Sequence, residues 1–514
     1  MQHQFGRSPR SIPFAFSGII MFATALLLMV AWDSLQWHYE HDLALNIYKA
    51  WMITNGKAPY HDFFDMNTPG NYMLLAMAGR LFGWSDLTFR LLDMLILLFI
   101  STCTYIWMNP TGKHGALLAA GYFPLWYLSC GPNLSLQREF IAMAPISAMI
   151  ALVTWLKSEN LILKSFGIGL LAGCATIIKP QNIIFMFPVS IPFLVQSNAG
   201  YKSTMKYVAY SATGFVVPLI LTTIYLASVG GLIDFIDIAR NYWPLYTHMN
   251  GVHIPVSGLN RTIYLIKSSG LGLMHFKFIM ALTGLLITGY KSNQTRDILT
   301  LIALLATSAA YPSVAGKFWT YHWLPFHYFC ICCASLVANA FPLKIASTRT
   351  QVAAIGLCLM IFHTSARISY SMANSWQLGL SYKANPEPDY GIPVKASQFL
   401  LKNMNINDTV QPLDWVGGAA HSMLLAKAPL STRFLFDFCF YHHISTPYIQ
   451  GLRKQFMEQL STRKPRFILE ITKYKLRPKG HDTTTEFKEL TDHLKTHYQP
   501  VLSDETFTIF ERNP

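Results

Sequence analysis

Two carboxylates follow the first long apolar run of the chain, in the segment Glu40-His41-Asp42. They come about eight to ten residues after the run, so we expect them at the membrane interface and not within the lipid. A carboxylate in this position can act as a general base that takes a proton from a hydroxyl group. The alternative is structural, because Asp is a good N-cap residue and Asp42 could start a helix over Leu43 to Ile53.

A second acidic residue and two basic residues lie at the ends of later apolar runs. Arg138 and Glu139 begin one run, where charged residues are costly unless they are paired or functional. The alternative for this pair is a local salt bridge that anchors the helix. Lys179-Pro180 interrupts the apolar stretch 166–195, and proline breaks a helix, so Lys179 should point to the interface. Its alternative is a lysine that snorkels to a lipid headgroup.

A basic and aromatic segment opens one of the last apolar runs. Lys317, Tyr321 and His322 lie there among tryptophans. Lys317 and His322 could hold a phosphate group, whereas the aromatic residues are also typical of a membrane-interface belt. These residues would have to meet in space to form one site, although they come from separate loops.

The composition shows what must position them. Of the 514 residues 52% are hydrophobic and only 13% are charged, which is far more apolar than a soluble protein. Apolar blocks of about 18 to 22 residues are long enough to cross a bilayer. The net charge of +14 is mostly in short loops between these blocks, so it indicates membrane orientation and not a nucleic-acid partner.

The sequence predicts a polytopic α-helical membrane protein with eleven crossings and a shorter juxtamembrane helix over 71–83. The predicted crossings are 13–32, 87–108, 114–131, 140–156, 165–178, 182–196, 207–229, 273–290, 298–312, 323–341 and 351–370. With the N-terminus inside, most loop lysines and arginines fall on the cytoplasmic side, as the positive-inside rule requires. An odd number of crossings puts the C-terminal tail outside.

The tail differs from the rest of the chain. From about residue 371 to 514 it is polar and long enough for one small domain. Alternating residues predict strands over Val410 to Trp415 and Phe467 to Thr472, and helices over Pro393 to Asn403 and Thr446 to Leu460. We therefore predict a transmembrane domain over 1–370, with a first external loop over 33–86, and an external α/β domain over 371–514.

The first loop resembles that of the GT-C glycosyltransferases, in particular the protein O-mannosyltransferase and aminoarabinose transferase group. The likeness rests on the acidic segment ending at Asp42 and on the ordered motifs Asn55-Gly56, Pro59-Tyr60, Asn67 to Tyr72 and Leu81-Phe82-Gly83 before Arg90. The tail resembles the external domain of the same group in Thr432-Arg433-Phe434, Phe456 to Leu460 and Lys464 to Leu469.

The resemblance implies an integral-membrane, inverting glycosyltransferase that moves a sugar from a polyprenyl-phosphate carrier to a hydroxyl acceptor: lipid A, an envelope glycan or a protein. It implies a bacterial inner-membrane enzyme with its tail in the periplasm. Asp42 is then the expected base, with Glu40 and Glu139 as further catalytic carboxylates. The expected phosphate-binding residues are Lys179, Lys317, Arg138 and His322, and the expected substrate-binding residues are Lys57, Tyr60, Asn71 and Tyr321.

Two other functions are compatible with a polytopic chain. A lipid-linked sugar flippase or transporter would be expected to have repeated halves and ionisable groups at mid-membrane, and neither is evident. A non-enzymatic envelope scaffold leaves the acidic loop and the Lys-Pro break unexplained. No cofactor is certain. Some relatives use a divalent metal, for which His38, Glu40 and His41 are candidates, but their spacing is not that of a standard metal site.

Overall fold

A computed structural model describes residues 14–39, 41–155, 160–190, 200–273, 276–289, 295–340, 388–473, 475 and 480–514. The chain is dominated by α-helices, with short 3₁₀ and π-helical turns between some of them and a short helical stretch over 186–190. Apart from that stretch, the α-helices of the described residues are α1 (Phe14–Ser34), α2 (His41–Thr54), α3 (Gly70–Phe82), α4 (Asp86–Met108), α5 (Lys113–Ser129), α6 (Arg138–Trp155), α7 (Leu161–Ile178), α8 (Tyr201–Ser228), α9 (Leu232–Asp237), α10 (Trp243–Thr247), α11 (Gly258–Leu273), α12 (Phe276–Gly289), α13 (Thr295–Ala315), α14 (Leu324–Ser335), α15 (Pro388–Asn403), α16 (Ala419–Ala426), α17 (Pro447–Arg463) and α18 (Lys488–His497).

Several of these helices are long and apolar enough to cross a membrane. Among the described residues, four stretches meet this description by length and composition: Asp86–Thr111, Leu161–Ile178, Tyr201–Ser228 and Ile298–Ala315. Each lies where the sequence predicts a crossing, and the helix predicted over 71–83 is present as α3. The crossing predicted over 351–370 lies outside the described residues, so the count of eleven stays a prediction.

The break predicted at Lys179 is confirmed. Helix α7 ends at Ile178, Lys179 has extended backbone angles, and a 3₁₀ turn follows over Pro180–Phe185. Proline at the first position of this turn has no amide proton, so it cannot continue the hydrogen bonding of α7. The lysine is thereby held at the end of a helix.

Helices α7 and α8 approach each other closely through small residues. A Cβ atom at Gly169 would lie 1.8 Å from the Ser211 carbonyl oxygen, and one at Gly214 would lie 2.1 Å from the Phe166 carbonyl oxygen. Only glycine leaves room for this contact, which is a common way to pack helices in a membrane. The contact fixes the direction in which α7 presents its C-terminal end.

The residues after 387 contribute a four-stranded mixed sheet. Its strands are β1 (Val410–Leu413), β2 (Phe467–Ile471), β3 (Tyr498–Ser503) and β4 (Phe507–Arg512), in the spatial order β1-β2-β4-β3. β1 and β2 are parallel and the other two pairs are antiparallel. The strands predicted at Val410 and Phe467 and the helices predicted at Pro393 and Thr446 are confirmed, with α17 ending at Arg463 just before Lys464-Pro465.

The sheet region packs directly on the first loop. The Tyr48 hydroxyl of α2 donates a hydrogen bond to the Ala428 carbonyl oxygen at 2.6 Å, and the Phe64 amide donates to the Arg433 carbonyl oxygen at 2.6 Å. The Arg433 guanidinium also donates to the Tyr60 carbonyl oxygen. These contacts hold the residues after β1 against the loop that carries Asp42.

Candidate active site

A cavity of about 710 Å³ lies where the first loop, the helical region and the sheet region meet. Its wall includes the start of α2, the loop before α3, the starts of α6 and α12, and residues just after β1. Among the residues predicted from the sequence, Asp42, Arg138 and Tyr321 line it. Three separate loops therefore converge on one space.

Asp42 presents a carboxylate to this cavity. It is the second residue of α2 and is partly exposed. Because α2 begins at His41, Asp42 lies inside the first turn and is not its N-cap, although the helix dipole still favours a negative charge there. Among the described residues, no hydrogen bond or ion pair holds its carboxylate.

Arg138 presents a guanidinium to the same cavity. It is the first residue of α6, and it too makes no hydrogen bond or ion pair with the part of the chain that the structure describes. The carboxylates of Glu139, Asp42 and Asp65 are close enough to favour its positive charge. A carboxylate and a guanidinium thus face one cavity, and each has free hydrogen-bonding capacity.

A buried arginine on α4 joins the two loops that carry these groups. Arg90 donates from Nε to the Trp37 carbonyl oxygen at 3.1 Å and from Nη2 to the His38 carbonyl oxygen. Its Nη1 donates to the Ser135 hydroxyl, which in turn donates to Asp93 at 2.6 Å. The segments just before Asp42 and just before Arg138 are therefore tied to the same side chain.

Glu139, Lys179 and His322 are also brought together, but they form a cluster of their own. Lys179 Nζ and Glu139 Oε1 form a buried ion pair, and His322 Nε2 lies 3.2 Å from the same oxygen. Burial and the charge of Lys179 lower the pKa of His322 to about 3, so its imidazole is neutral. None of the three lines the cavity. The alternative of an anchoring ion pair is realised for Glu139, with Lys179 and not with Arg138 as the partner.

Lys317 is buried beside the cavity and is bound to backbone groups. Its Nζ donates to the carbonyl oxygens of Met249 at 3.3 Å and Asn250 at 3.5 Å, and it lies 4.2 Å from the centroid of the Tyr246 ring. Burial, followed by the nearby positive charge of Arg261, lowers the pKa of Lys317 to about 7. In this arrangement Lys317 holds the loop over residues 248–256.

The other predicted residues that the structure describes do not line the cavity. Lys57 is exposed in the turn after α2. Tyr60 is fully buried and donates to the Asn67 carbonyl oxygen at 2.6 Å. Asn71 is fully buried, and its side-chain amide has no hydrogen-bond partner in the part of the chain that the structure describes. Glu40 lies outside the described residues.

The geometry can be compared with proteins of known structure. No protein-family model matches the chain, and no curated protein matches it. Two solved structures of ArnT from Cupriavidus metallidurans do match: one bound to undecaprenyl phosphate, with a TM-score of 0.56, and one in the apo state, with a TM-score of 0.57. Each is 12% identical and covers 96% of this chain and 98% of its own. The chain has the fold of ArnT. The resemblance that the first loop suggested is thereby confirmed for the fold alone.

Two lysines of the cavity were not predicted from the sequence. Lys49 lines it and forms a fully buried ion pair with Asp65, which also accepts a hydrogen bond from the Tyr72 hydroxyl at 3.0 Å. Lys277 lines it from the start of α12, with Nζ 4.5 Å from the centroid of the Trp126 ring.

Signals for both lysines existed in the sequence. Asp42, Leu45, Asn46 and Lys49 follow the i, i+3, i+4, i+7 spacing of one helix face, and all four line the cavity. Lys277 falls inside the crossing predicted over 273–290, where an ionisable residue is a functional hypothesis by default.

A metal site has no assigned ligands. Within the described ranges, no group of three or more His, Cys, Asp and Glu side chains is arranged to hold a metal ion. His38 is hydrogen-bonded to Asp86 at 2.7 Å, and Glu40 lies outside these ranges.

Proposed function

We propose that the chain is an integral-membrane, inverting glycosyltransferase that moves a sugar from a polyprenyl-phosphate carrier to a hydroxyl acceptor. The observation that carries the proposal is that Asp42 and Arg138 line one cavity, and that neither side chain makes a hydrogen bond or an ion pair with the described residues. The ArnT fold supports it, since an ArnT structure with this fold is bound to undecaprenyl phosphate.

In the proposed reaction Arg138 binds the phosphate of the donor lipid. Its guanidinium matches the geometry of phosphate oxygens and neutralises the charge that develops on the leaving group. Asp42 takes the proton of the acceptor hydroxyl as its oxygen attacks the anomeric carbon. The bond from that carbon to the phosphate oxygen breaks, and polyprenyl phosphate leaves with the bonding electrons.

Inversion follows from a single attack on the face opposite the leaving group. A retaining mechanism by double displacement requires a carboxylate nucleophile as well as an acid–base group. Of the described carboxylates that line the cavity, Asp65 is held by Lys49 and Tyr72, and Asp42 is left for one role. Glu139, which the sequence predicts as catalytic, is engaged by Lys179 and His322, so we assign it the role of holding α6 and α7 beside Arg138.

The proposal includes an orientation. The predicted cytoplasmic N-terminus puts the cavity and the region over 371–514 on the external face, which is the periplasm if the source is a bacterium. There the sheet region would act as an external domain that contributes Trp415 and Val416 to the cavity wall. The acceptor in this proposal carries a hydroxyl group, on lipid A, on an envelope glycan or on a protein.

The test is label transfer by purified protein from radiolabelled undecaprenyl-phosphoryl sugars to each acceptor class. We expect transfer by the wild-type protein and a loss on the order of 10²–10⁴-fold in turnover for Asp42→Asn, since a general base contributes this much. The fold should persist, because Asn has the shape of Asp and loses a helix-dipole interaction worth about 0.3–1 kcal/mol together with the attraction between Asp42 and Arg138, neither of which forms a described ion pair. Near-normal transfer by Asp42→Asn would contradict the assignment of the base, and no transfer by the wild-type protein to any acceptor would contradict the proposed function.

A further inference from the structure

One buried histidine in the cavity wall has no role in the proposed reaction. His253 lies in the loop between α10 and α11, lines the cavity and is 0% exposed. Among the described residues, neither of its ring nitrogens has a hydrogen-bond partner. A buried polar group without a partner is rare in proteins and costs free energy, so it requires an explanation.

The loop around His253 is built to hold the ring in this position. The Asn250 side-chain oxygen accepts hydrogen bonds from the amides of Val252 at 2.8 Å and Ile254 at 2.9 Å. His253 itself has a φ of +58°, in the left-handed region that residues with a Cβ seldom adopt. The Lys317 ammonium group donates hydrogen bonds to the carbonyl oxygens of Met249 and Asn250 in the same loop. Such a strained, over-determined backbone is typical of functional sites.

Aromatic rings surround the imidazole. The ring centroid of Trp415 is 4.4 Å away, that of Phe438 is 4.7 Å away and that of Trp319 is 5.4 Å away. Trp319 and Trp415 are only partly buried, and both line the cavity. Burial, and then the charges of Lys317 and His442, lower the pKa of His253 to about 2. Its imidazole is therefore neutral, with one donor and one acceptor nitrogen.

We propose that His253 recognises a hydroxyl group of the transferred sugar, with Trp319 and Trp415 as the surfaces on which the sugar ring stacks. A neutral imidazole can donate to and accept from hydroxyl groups, and the rings offer apolar faces to the C–H groups of a sugar. Trp319 lines the cavity 5.4 Å from the imidazole, so the proposed complex requires this side chain to turn aside when the sugar binds. The inference rests on the proposed function and names the subsite for the sugar, whereas Arg138 binds the phosphate.

The experiment compares the binding of two lipids by the full-length protein in detergent. The probes are undecaprenyl phosphate and whichever of undecaprenyl-phosphoryl glucose, mannose and aminoarabinose the wild-type protein binds most tightly. His253→Phe keeps an aromatic ring and removes both nitrogens. We expect unchanged affinity for undecaprenyl phosphate and about tenfold weaker binding of the sugar-bearing lipid. Removal of two nitrogens without described partners favours thermal stability, and a bulky ring at a positive φ opposes it. A purely structural role predicts the same effects on stability with no selective loss of sugar binding.

Two further variants keep the test decisive. His253→Asn retains a donor and an acceptor and tolerates a positive φ, so it should bind the sugar-bearing lipid more tightly than His253→Ala does. If His253→Phe does not fold, the comparison of His253→Asn with His253→Ala tests the inference. His442→Phe is the matched control. His442 is equally buried, but its nitrogens have partners in Phe438 and Tyr242, so the change should destabilise the protein without altering its preference for the sugar-bearing lipid.

The outcomes separate the inference from the function on which it rests. Suppose that the wild-type protein binds undecaprenyl phosphate, and that the His253 variants bind both lipids with equally reduced affinity or with unchanged affinity. The inference is then wrong and the proposed function stands. If the wild-type protein binds neither lipid, the proposed function is wrong and this inference with it.

Discussion

The pairing of Lys179 with Glu139 makes a prediction that separates a structural role from a phosphate-binding role. Glu139 is 0% exposed and Lys179 is 4% exposed. Among the described residues, His322 is the one other ionisable side chain that contacts the Glu139 oxygen bound by Lys179. Removing one partner of such a pair leaves a buried charge without compensation. We therefore expect Lys179→Met to lower the free energy of unfolding by about 3–5 kcal/mol, and Glu139→Gln to do the same.

The double variant is the informative one. Lys179→Met combined with Glu139→Gln leaves no buried charge unpaired, so it should recover part of the loss, with a coupling free energy of about 2–3 kcal/mol between the sites. Unfolding in mixed detergent and SDS, followed by far-ultraviolet circular dichroism, measures the four free energies of the cycle. Binding of undecaprenyl phosphate is measured on the same samples.

Arg138→Gln is the matched comparison. Arg138 lines the cavity and has no described ion pair, so its loss should weaken the binding of undecaprenyl phosphate with little effect on stability. If Lys179→Met is as stable as wild type and loses lipid binding, while the double variant shows no recovery, then Lys179 is a phosphate ligand as the sequence predicted and the structural reasoning is refuted.

Two more predictions concern residues outside the cavity wall. Arg90→Lys should reduce label transfer by about 10- to 100-fold, because lysine cannot bind the Trp37, His38 and Ser135 oxygens together. The loops before Asp42 and Arg138 would then lose their common anchor. Arg80 on α3 is exposed, so Arg80→Lys is the control, and equal label transfer by the two variants would contradict the argument. The pKa of Lys317 is lowered from 10.5 to about 7 in the folded protein. Between pH 7 and pH 10.5 the side chain is therefore neutral in the folded protein and protonated in the unfolded chain. The unfolded chain binds more protons, so the free energy of unfolding should rise with pH over this range. Denaturation midpoints measured from pH 7 to pH 10 should show a smaller rise for Lys317→Met, and an identical slope would show that Lys317 does not titrate there.

The sequence by itself determined the elements of this protein. The apolar run over 87–108 became α4, the Lys-Pro break ended α7 at Ile178, and the alternating residues at Val410 and Phe467 became parallel neighbours in a sheet. These features depend on local properties, namely the length of an apolar run, the missing amide proton of proline and the two-residue period of a strand. The positions of Asp42 and Arg138 beside apolar runs also marked them as candidates, and the resemblance of the first loop implied the role of Asp42.

Only the tertiary structure decided which charged groups remain available for chemistry. Glu139 and Lys179 are 40 residues apart in the chain, and nothing local to either residue indicates that they neutralise each other. The same holds for Lys317, whose partners are backbone carbonyl oxygens 67 and 68 residues away, and for His253, whose ring is covered by Trp415 from the sheet region. The sequence states which residues carry charge. Whether a charged group is functional or structural depends on the groups that the fold brings within hydrogen-bonding distance of it. Those groups come from distant parts of the chain, so only the tertiary structure identifies them.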